Sequence, residues 1–536
     1  MSLVRRVSTY SPRYFVLRRP EESGLTLLGR FIFLAFCILA TAVLVFLSYP
    51  GQPYAVLAWV AWVPFFWGVL KIRHAKTAFF YAGATAFLFN AGIFYWIFYT
   101  CVHGGGMSVW LSCAAWLGLS ALLSLQTAFF GAACFYLKKT GVLFPLLAAC
   151  GFVTLEWLHQ TIAFYGLGFP WLMWGYTQWN QPEFLQLAAF TGVYGVSFWL
   201  LFINALLGRA LALKSVKRGF LALLIAAGVW FALYSWGEAR LSAQAKGGML
   251  PLRAALVQPN IDQYKKWDPL FEQEILDTIT QTGNELEGKE LWLTVWPESV
   301  TPGELAEEPY LSLMEDIALR SGAYQIVGSS VTQAGKSYVG AYALAPNSDA
   351  LQVYRKIKLV PFGEYIPLEK LVRRLFAQVD VLGELGMFVP GPRLQNLLDM
   401  GGVLVGSTIC YEAVFPQVWL EQSRQGAQVF VNLTNDAWFF NTAAPHQHLA
   451  ANVLRAVETG RPVLRAANTG ISAVIDGFGR IEQKTELFTP AVLYTQVVPA
   501  DTVPATFYAA YGNIFVWICA VLFFTCLIFA MVFLYE

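Results

Sequence analysis

The chain has 536 residues, 57% of them hydrophobic and only 13% charged, with a formal net charge of +2. So few charges exclude an ordinary soluble protein, and the length favours two folding units over one. Residues 238–505 hold 21 Lys and Arg against 29 Asp and Glu, whereas the remainder holds 15 against 5; an acidic middle argues against nucleic acid as its partner.

Seven apolar stretches come first in chain order, at roughly 27–48, 54–70, 77–100, 108–137, 141–162, 184–207 and 219–236, and an eighth closes the chain at about 514–535. Most are long enough to cross a hydrocarbon core of ~30 Å as helices. The second is the shortest and carries Pro64. The first is too long, and starts too late, for a cleaved signal peptide. Arg5, Arg6, Arg13, Arg18, Arg19 and Arg30 lie before or at the start of the first stretch. Lys71, Arg73 and Lys76 follow the second, Lys138 and Lys139 the fourth, and Arg209, Lys214, Lys217 and Arg218 the sixth. The alternate loops 49–53, 101–107 and 163–183 carry no Lys or Arg. This asymmetry predicts both termini on the cytoplasmic side and residues 238–505 outside. The expected units are a membrane domain over 1–237, an extracytoplasmic domain over 238–505, and a last span within 506–536.

In the polar middle, runs rich in Val, Ile, Leu and aromatics predict strands at 252–258, 290–296, 323–329, 338–345, 402–409 and 427–433. Segments 268–285 and 308–321 have the apolar spacing of amphipathic helices. Two later runs, 463–475 and 480–484, meet at DGFG (476–479), a hairpin signal. The fold class expected is a polytopic α-helical membrane domain joined to an α/β domain in which helices cover sheets.

Three polar groups fall where strands should end: Glu298 in WPES, Lys356 in YRKIKLVPFGE, and Cys410 in STICYE. Strand carboxyl ends are where α/β sites gather. Cys410 is the only cysteine of the polar middle, so it has no partner there for a disulfide. It is therefore either inertly buried or kept as a nucleophile. An ammonium beside a thiol favours the thiolate, as would the N-terminus of a helix starting at about Tyr411. A carboxylate can take the thiol proton and return it, and the same ammonium can stabilise an oxyanion.

WPES, Y-x-K…VPFGE and CYE, in that order, resemble the Glu-Lys-Cys site of the nitrilase (carbon-nitrogen hydrolase) superfamily. With spans on both sides, the whole chain resembles the apolipoprotein N-acyltransferase family. GFPWLMWGY (168–176), VQPNIDQYKKWD (257–268), TNDAWF (434–439), the long run from His446 to Ile475 and TFYAAYGN (506–513) extend the likeness over most of the length. The resemblance implies a nitrilase-like αββα sandwich with Cys410 as nucleophile, Glu298 as general base and Lys356 as oxyanion stabiliser. It further implies that Glu364 holds Lys356, that the Tyr411 N–H completes the oxyanion hole, and that Glu412 and Trp267 shape the pocket. No metal and no cofactor are implied. The implied reaction moves an acyl chain from a glycerophospholipid, with phosphatidylethanolamine the expected donor, to a diacylglyceryl apolipoprotein at the bacterial cytoplasmic (inner) membrane. The sequence departs from the family's pattern at Phe440, where a glycine is expected, and at His446, where an aromatic is expected.

Blander readings stand beside these. Lys358 on a strand would face the same side as Lys356, so spacing does not choose between them and only the family motif favours Lys356. His446 and His448 form H-x-H, but two ligands make no zinc site, and a structural pair or a lid contact is expected instead. Glu156 and His159, near the outer end of the fifth stretch, are either functional or helix anchors. The aromatic loop GFPWLMWGYTQW either anchors at the outer interface or lines a route for lipid. A membrane-tethered amidohydrolase and a non-enzymatic scaffold are the other function classes.

Overall fold

The computed structural model describes residues 27–243, 250–367, 369, 374, 388–501 and 506–533. The basic segment before residue 27 lies outside them. The helical part consists of α1 (Leu27–Ser48), α2 (Val63–Lys71), α3 (Ala75–Ile93), α4 (Val109–Leu137), α5 (Phe144–Phe164), α6 (Val193–Ala212) and α7 (Val216–Ser242). Among the described residues five helical runs are long and apolar enough to cross a membrane, or six if the bent pair Ala75–Ile93 and Tyr95–Gly104 is one span.

One of those runs is Val109–Phe164, 56 residues with a break at Gly141 (φ 66°, ψ −121°). Unbroken, it would be about 84 Å long at ~1.5 Å per residue, nearly three times the ~30 Å hydrocarbon core. The break lets α4 and α5 fold back and pack on each other. The expected second span is represented by Ala55–Lys71, shorter than the rest, with a 3-10 turn before Pro64 lets α2 begin.

The α/β part builds two six-stranded sheets. The first has the order β12-β1-β2-β3-β4-β5, from β1 (Leu252–Gln258), β2 (Leu293–Val295), β3 (Tyr324–Gln333), β4 (Lys336–Ala345), β5 (Ser348–Arg355) and β12 (Ala491–Val497). The second has the order β11-β10-β9-β8-β7-β6, from β6 (Leu398–Asp399), β7 (Leu404–Ile409), β8 (Val429–Thr434), β9 (Val463–Ala467), β10 (Ala473–Ile475) and β11 (Ile481–Lys484). β1, β2 and β3 run parallel, as do β7, β8 and β9, while the outer pairs are antiparallel.

Alternation sets the layers. Ala254 and Leu256 of β1 pack with Val405, Ile409, Val431 and Leu433 between the sheets. Ala255 and Val257, one residue out of phase, meet α8 (Glu272–Leu286) and α9 (Tyr310–Ser321) through Ile275, Ile279, Met314 and Ile317. On the far face of the second sheet lie α10 (Pro416–Arg424) and α11 (Ala444–Thr459). Trp419, Leu449, Val453 and Val457 belong to the same buried cluster as Leu185, Val193 and Tyr508 of the helical part. The outer helix layer of the sandwich is thus also the upper wall of the membrane domain.

The run 463–475, read as one strand, is two, β9 and β10, paired antiparallel. The chain reverses because Asn468 is drawn aside to the backbone of Ile261 (2.9 and 2.8 Å), and because a side chain on Gly470 would lie 2.5 Å from Asp436. The chain ends in α12 (Ile514–Phe533), which packs on α5 where Gly151 leaves room for Phe523: a Cβ there would sit 2.5 Å from the ring.

Candidate active site

β7 delivers Cys410 to a sharp strand-to-helix turn. Its φ is +49°, a left-handed conformation that L-residues adopt at some cost. A 3-10 helix, Cys410–Val414, follows before α10. Glu412, two residues on, fixes this elbow. Its Oε2 accepts the Ile409 N–H (2.7 Å), and its Oε1 accepts the N–H groups of Ile357 (2.6 Å) and Lys358 (3.1 Å). The Tyr354 hydroxyl bonds both oxygens at 3.0 Å. Glu412 is fully buried, which pushes its carboxyl up to about 7 against the pull of those N–H donors and Lys356.

The same bracket separates the two lysines. β5 ends at Arg355, and the Ile357 and Lys358 amides bend the chain towards Glu412. Lys356 Nζ then points inward and is completely buried between Glu298 Oε1 (2.9 Å) and Glu364 Oε1 (2.6 Å). Lys358 leaves the other way: its Nζ donates to the Phe164 carbonyl at the end of α5 and lies 3.5 Å above the Phe164 ring. Burial alone would lower the Lys356 ammonium, but Glu298, Glu364 and Cys410 outweigh it and hold it well above its ordinary value.

Glu298 sits past the end of β2. Its backbone comes so close to β3 that a Cβ on Gly328 would lie 2.6 Å from the Glu298 Cα and 2.3 Å from the Pro297 carbonyl. Glu298 Oε2 accepts the Asn435 N–H at 3.0 Å. Glu364 is anchored in the VPFGE turn, its Oε2 accepting the Val360 N–H (2.8 Å). Burial, with Glu298 nearby, raises its carboxyl against the pull of Lys356.

The thiol itself differs from the sequence expectation. Burial and the negative charges of Glu298 and Asp436 outweigh Lys356, so the Cys410 thiol is pushed far up and stays protonated at neutral pH. The Thr434 hydroxyl, which donates to Asp436 Oδ1 at 3.2 Å, lowers it slightly. A five-residue 3-10 helix is too short to reverse this balance.

Beneath the elbow lies a buried polar network. His448 Nε2 faces the Cys410 carbonyl (2.9 Å), and Nδ1 faces Asp436 Oδ1 (2.8 Å). Arg465 donates to Asp436 Oδ2 (2.7 Å) and to Asn432 Oδ1 (2.7 Å). Burial would raise the Asp436 carboxyl, but Arg465 and His448 bring it down to about 2. His446, two residues along the same helix, takes no part in this network. Among the described residues no cluster of His, Cys, Asp and Glu could hold a metal.

The aromatic loop is not an interface anchor throughout. Trp171 and Trp174 are buried; Phe169 stacks on Tyr411 (centroids 5.8 Å apart, 16°), and Trp171 and Trp96 both donate to Gln447 Oε1 (2.9 and 3.1 Å). Tyr165 and Leu167 remain exposed. Glu156 is buried and accepts the Trp174 N–H at 2.5 Å, and His159 Nδ1 lies 2.7 Å from Gln126 Oε1; both tie α5 to its neighbours. Phe440, where glycine was expected, has φ 51° and ψ −158°, a region that favours glycine. Its ring packs on His103 (5.6 Å, 70°). Trp267 is exposed. The neighbouring Lys266, which the sequence reading passed over, is completely buried and donates to the Glu298 carbonyl at 3.2 Å.

Two family models match this sequence: carbon-nitrogen hydrolase over residues 253–506, and apolipoprotein N-acyltransferase N-terminal domain over residues 41–206. The chain is 34% identical over 506 residues to the apolipoprotein N-acyltransferase of Geobacter metallireducens, covering 89% of this chain and 92% of that one. It is 35% identical over 428 residues to that of Pseudomonas syringae (75% and 81%), and 30% identical over 512 residues to that of Haemophilus ducreyi (93% and 96%). Among solved structures, a CN-hydrolase superfamily protein of Xanthomonas campestris aligns at 18% identity and TM-score 0.36, covering 46% of this chain and 91% of that one. An amidase from Nesterenkonia sp. aligns at 20% and 0.36, covering 48% and 94%.

Proposed function

This chain belongs to the apolipoprotein N-acyltransferase family, and from that premise we propose a two-step acyl transfer through Cys410. The donor is a glycerophospholipid, with phosphatidylethanolamine the expected one. The acceptor is the free α-amine of the S-diacylglyceryl cysteine of an apolipoprotein. The observation that carries this reading is the buried chain Glu298–Lys356–Glu364, in which Glu298 and Lys356 bear directly on the Cys410 thiol.

In the first step Glu298 takes the Sγ proton as sulfur attacks the sn-1 ester carbonyl. The developing oxyanion faces the Lys356 ammonium and the N–H of Tyr411. Collapse of the tetrahedral species breaks the ester C–O bond. Glu298 returns its proton to the glycerol oxygen, and lysophospholipid leaves. In the second step the neutral α-amine attacks the thioester carbonyl and Glu298 accepts its proton. The C–S bond breaks, and the proton returns to sulfur. Burial raises the Cys410 thiol, so Glu298 is needed to take its proton as the sulfur attacks.

The apolar helices make this a multi-pass membrane protein. The charge asymmetry of its loops supports the cytoplasmic (inner) membrane with the α/β domain on the periplasmic side. A substrate whose acyl chains lie in the bilayer accounts for joining a hydrolase-type sandwich to spans.

The test follows a label. Wild-type protein incubated with acyl-labelled phospholipid acquires a hydroxylamine-sensitive acyl group on Cys410. Adding a diacylglyceryl-cysteine peptide moves the label into a hydroxylamine-resistant amide. Label released mainly as free fatty acid, at the same rate with or without peptide, would instead mean an amidohydrolase-type enzyme. Cys410→Ser takes up no label, since a hydroxyl is a far weaker nucleophile without a stronger base.

A further inference from the structure

Lys266 sits directly beside the proposed base Glu298, yet the acyl-transfer chemistry above gives it no part. Its side chain is completely buried, and a buried ammonium is costly unless compensated. Among the described residues no carboxylate lies within ion-pair distance of it. Its hydrogen bond goes to the main-chain carbonyl of Glu298, 3.2 Å from Nζ. The segment that carries it is held in place: the Lys266 N–H donates to the Asp262 carbonyl (3.1 Å), and the Gln263 side chain accepts from Asn435 Nδ2 (2.5 Å). Asn435 is also the residue whose N–H holds Glu298 Oε2. Lys266 and Asn435 therefore grip Glu298 from two sides, one at its backbone and one at its carboxylate.

The charges make the second argument. In the Glu298–Lys356–Glu364 chain two carboxylates face one ammonium, and Lys266 in its ammonium form adds a second positive charge beside Glu298. A positive charge there favours the negative charge that builds on substrate oxygen.

We propose that Lys266 is a positioning residue for acyl-enzyme formation: its ammonium fixes the main chain of the general base Glu298 and places a positive charge beside it. This inference rests on the acyl-transfer reading.

Burial pushes the Lys266 ammonium down to about 8, with Glu298 pulling it back up. The active, charged form is thus lost as pH rises through about 8. Cys410 and Lys356 are both pushed far above that range and supply no transition there. Two other groups at the site titrate in this range: Lys358, which burial lowers also to about 8, with Glu412 raising it and Arg393 lowering it, and Glu412, at about 7, whose ionised form holds the elbow and would raise rather than lower the rate as pH rises. The charged groups facing Lys266 are the Glu298 carboxylate and, through it, Lys356; its sequence neighbour Lys265 is engaged outward with Glu274 at 2.8 Å.

The experiment measures the single-turnover rate of Cys410 acylation by intact-protein mass spectrometry, using the full-length protein in detergent micelles containing phosphatidylethanolamine. The pH runs from about 6 to about 10, with no amine acceptor present. The wild-type rate should fall on the alkaline side with a midpoint near 8, and Lys358→Met should keep that fall. Lys266→Met should be slower by on the order of tenfold or more at neutral pH and should lack the transition. Lys266→Arg, whose guanidinium stays charged, should recover part of the neutral rate and hold it to alkaline pH. A wild-type rate flat across this range, a fall abolished by Lys358→Met, or a Lys266→Met rate equal to wild type would overturn the inference while leaving acyl transfer intact. Wild type that never acylates Cys410 would overturn the acyl-transfer reading and this inference with it.

Discussion

Glu458, at the end of α11 in the α/β domain, accepts the backbone N–H of Val193, the first residue of the membrane helix α6, at 2.8 Å. A carboxylate from one domain caps a helix of the other, where the N-terminal N–H groups have no intrahelical acceptors. Arg455 pairs with Glu458 from one turn earlier (3.0 Å), and both are completely buried. The joint is a shared core with a polar pin through it, so the Cys410 elbow is held at a fixed height relative to the helices.

If the proposed roles hold, removing charge from the Glu298–Lys356–Glu364 chain should stop acylation without unfolding the protein. Glu298→Gln and Lys356→Met should each lower the rate of Cys410 acylation by ~10²–10³, while Lys358→Met, whose Nζ serves Phe164, should be far milder. Mass spectrometry of the acyl-enzyme checks all three. An essential Lys358 with a dispensable Lys356 would reverse the assignment.

Glu412 should be needed as an acceptor. In Glu412→Gln the amide nitrogen would face an N–H donor, from Ile409 on one oxygen or from Ile357 and Lys358 on the other. Leaving such a buried donor unpaired costs ~1–3 kcal/mol. The expected result is a lower unfolding temperature together with a loss of acylation, because the bracket that bends Lys356 inward and the elbow that presents Cys410 share this one carboxylate.

Acid stability should report on Asp436. Its folded value of about 2 lies below the ordinary ~3.9 of an aspartate. The stabilisation is therefore complete above about pH 4 and is lost as pH falls from there to about 2. It amounts to roughly 2–3 kcal/mol. Asp436→Asn should be less stable than wild type at neutral pH, and the gap between their thermal midpoints should close as the pH is lowered through that window. A constant gap would place the contribution elsewhere.

Phe440 separates backbone strain from ring packing. Phe440→Gly removes both the strain at φ 51° and the contact with His103, whereas Phe440→Ala removes the contact and keeps the strain. The alanine variant should be the less stable of the two, by ~1 kcal/mol or more. Comparing their unfolding midpoints in detergent gives the answer directly.

The orientation of the chain can be read from reporter fusions. A fusion at about residue 245 and one at about residue 140 should report opposite sides of the membrane, with the first outside. Cytoplasmic activity at 245 would invert the assignment.

Much of this architecture was legible because its signals are strong. Long apolar runs and the 2-residue and 3.6-residue periods announce spans, central strands and covering helices. The strands that went unread, β5, β12 and β6, are the two edges of the first sheet and one edge of the second. There one side has no partner strand, and polar residues such as Gln352, Thr495 and Gln496 dilute the alternation. The family motifs brought Glu298, Lys356, Glu364 and Cys410 together, but the divergence of Lys356 from Lys358 was beyond reach. It depends on Glu412, more than 50 residues away in sequence, drawing two amides out of the strand path. The burial of Lys266 was equally hidden, since a Lys-Lys pair beside a tryptophan reads as a solvated surface. The motif around Asp436 was visible, yet its link to His448 and Arg465 forms only when β8, β9 and α11 meet.

The fit of Phe523 into the space left by Gly151 has a consequence for biosynthesis. Chains are made from the N-terminus, so α5 reaches the bilayer long before α12 is synthesised. Until then the groove beside Gly151 faces lipid. On the orientation proposed above, the α/β domain crosses the membrane and folds while this last helix is still missing. Ribosome-bound chains halted before residue 514 should therefore be digested by protease from the outer side faster than the finished protein. Gly151→Leu, which blocks the groove, should leave the complete chain in the same protease-sensitive state.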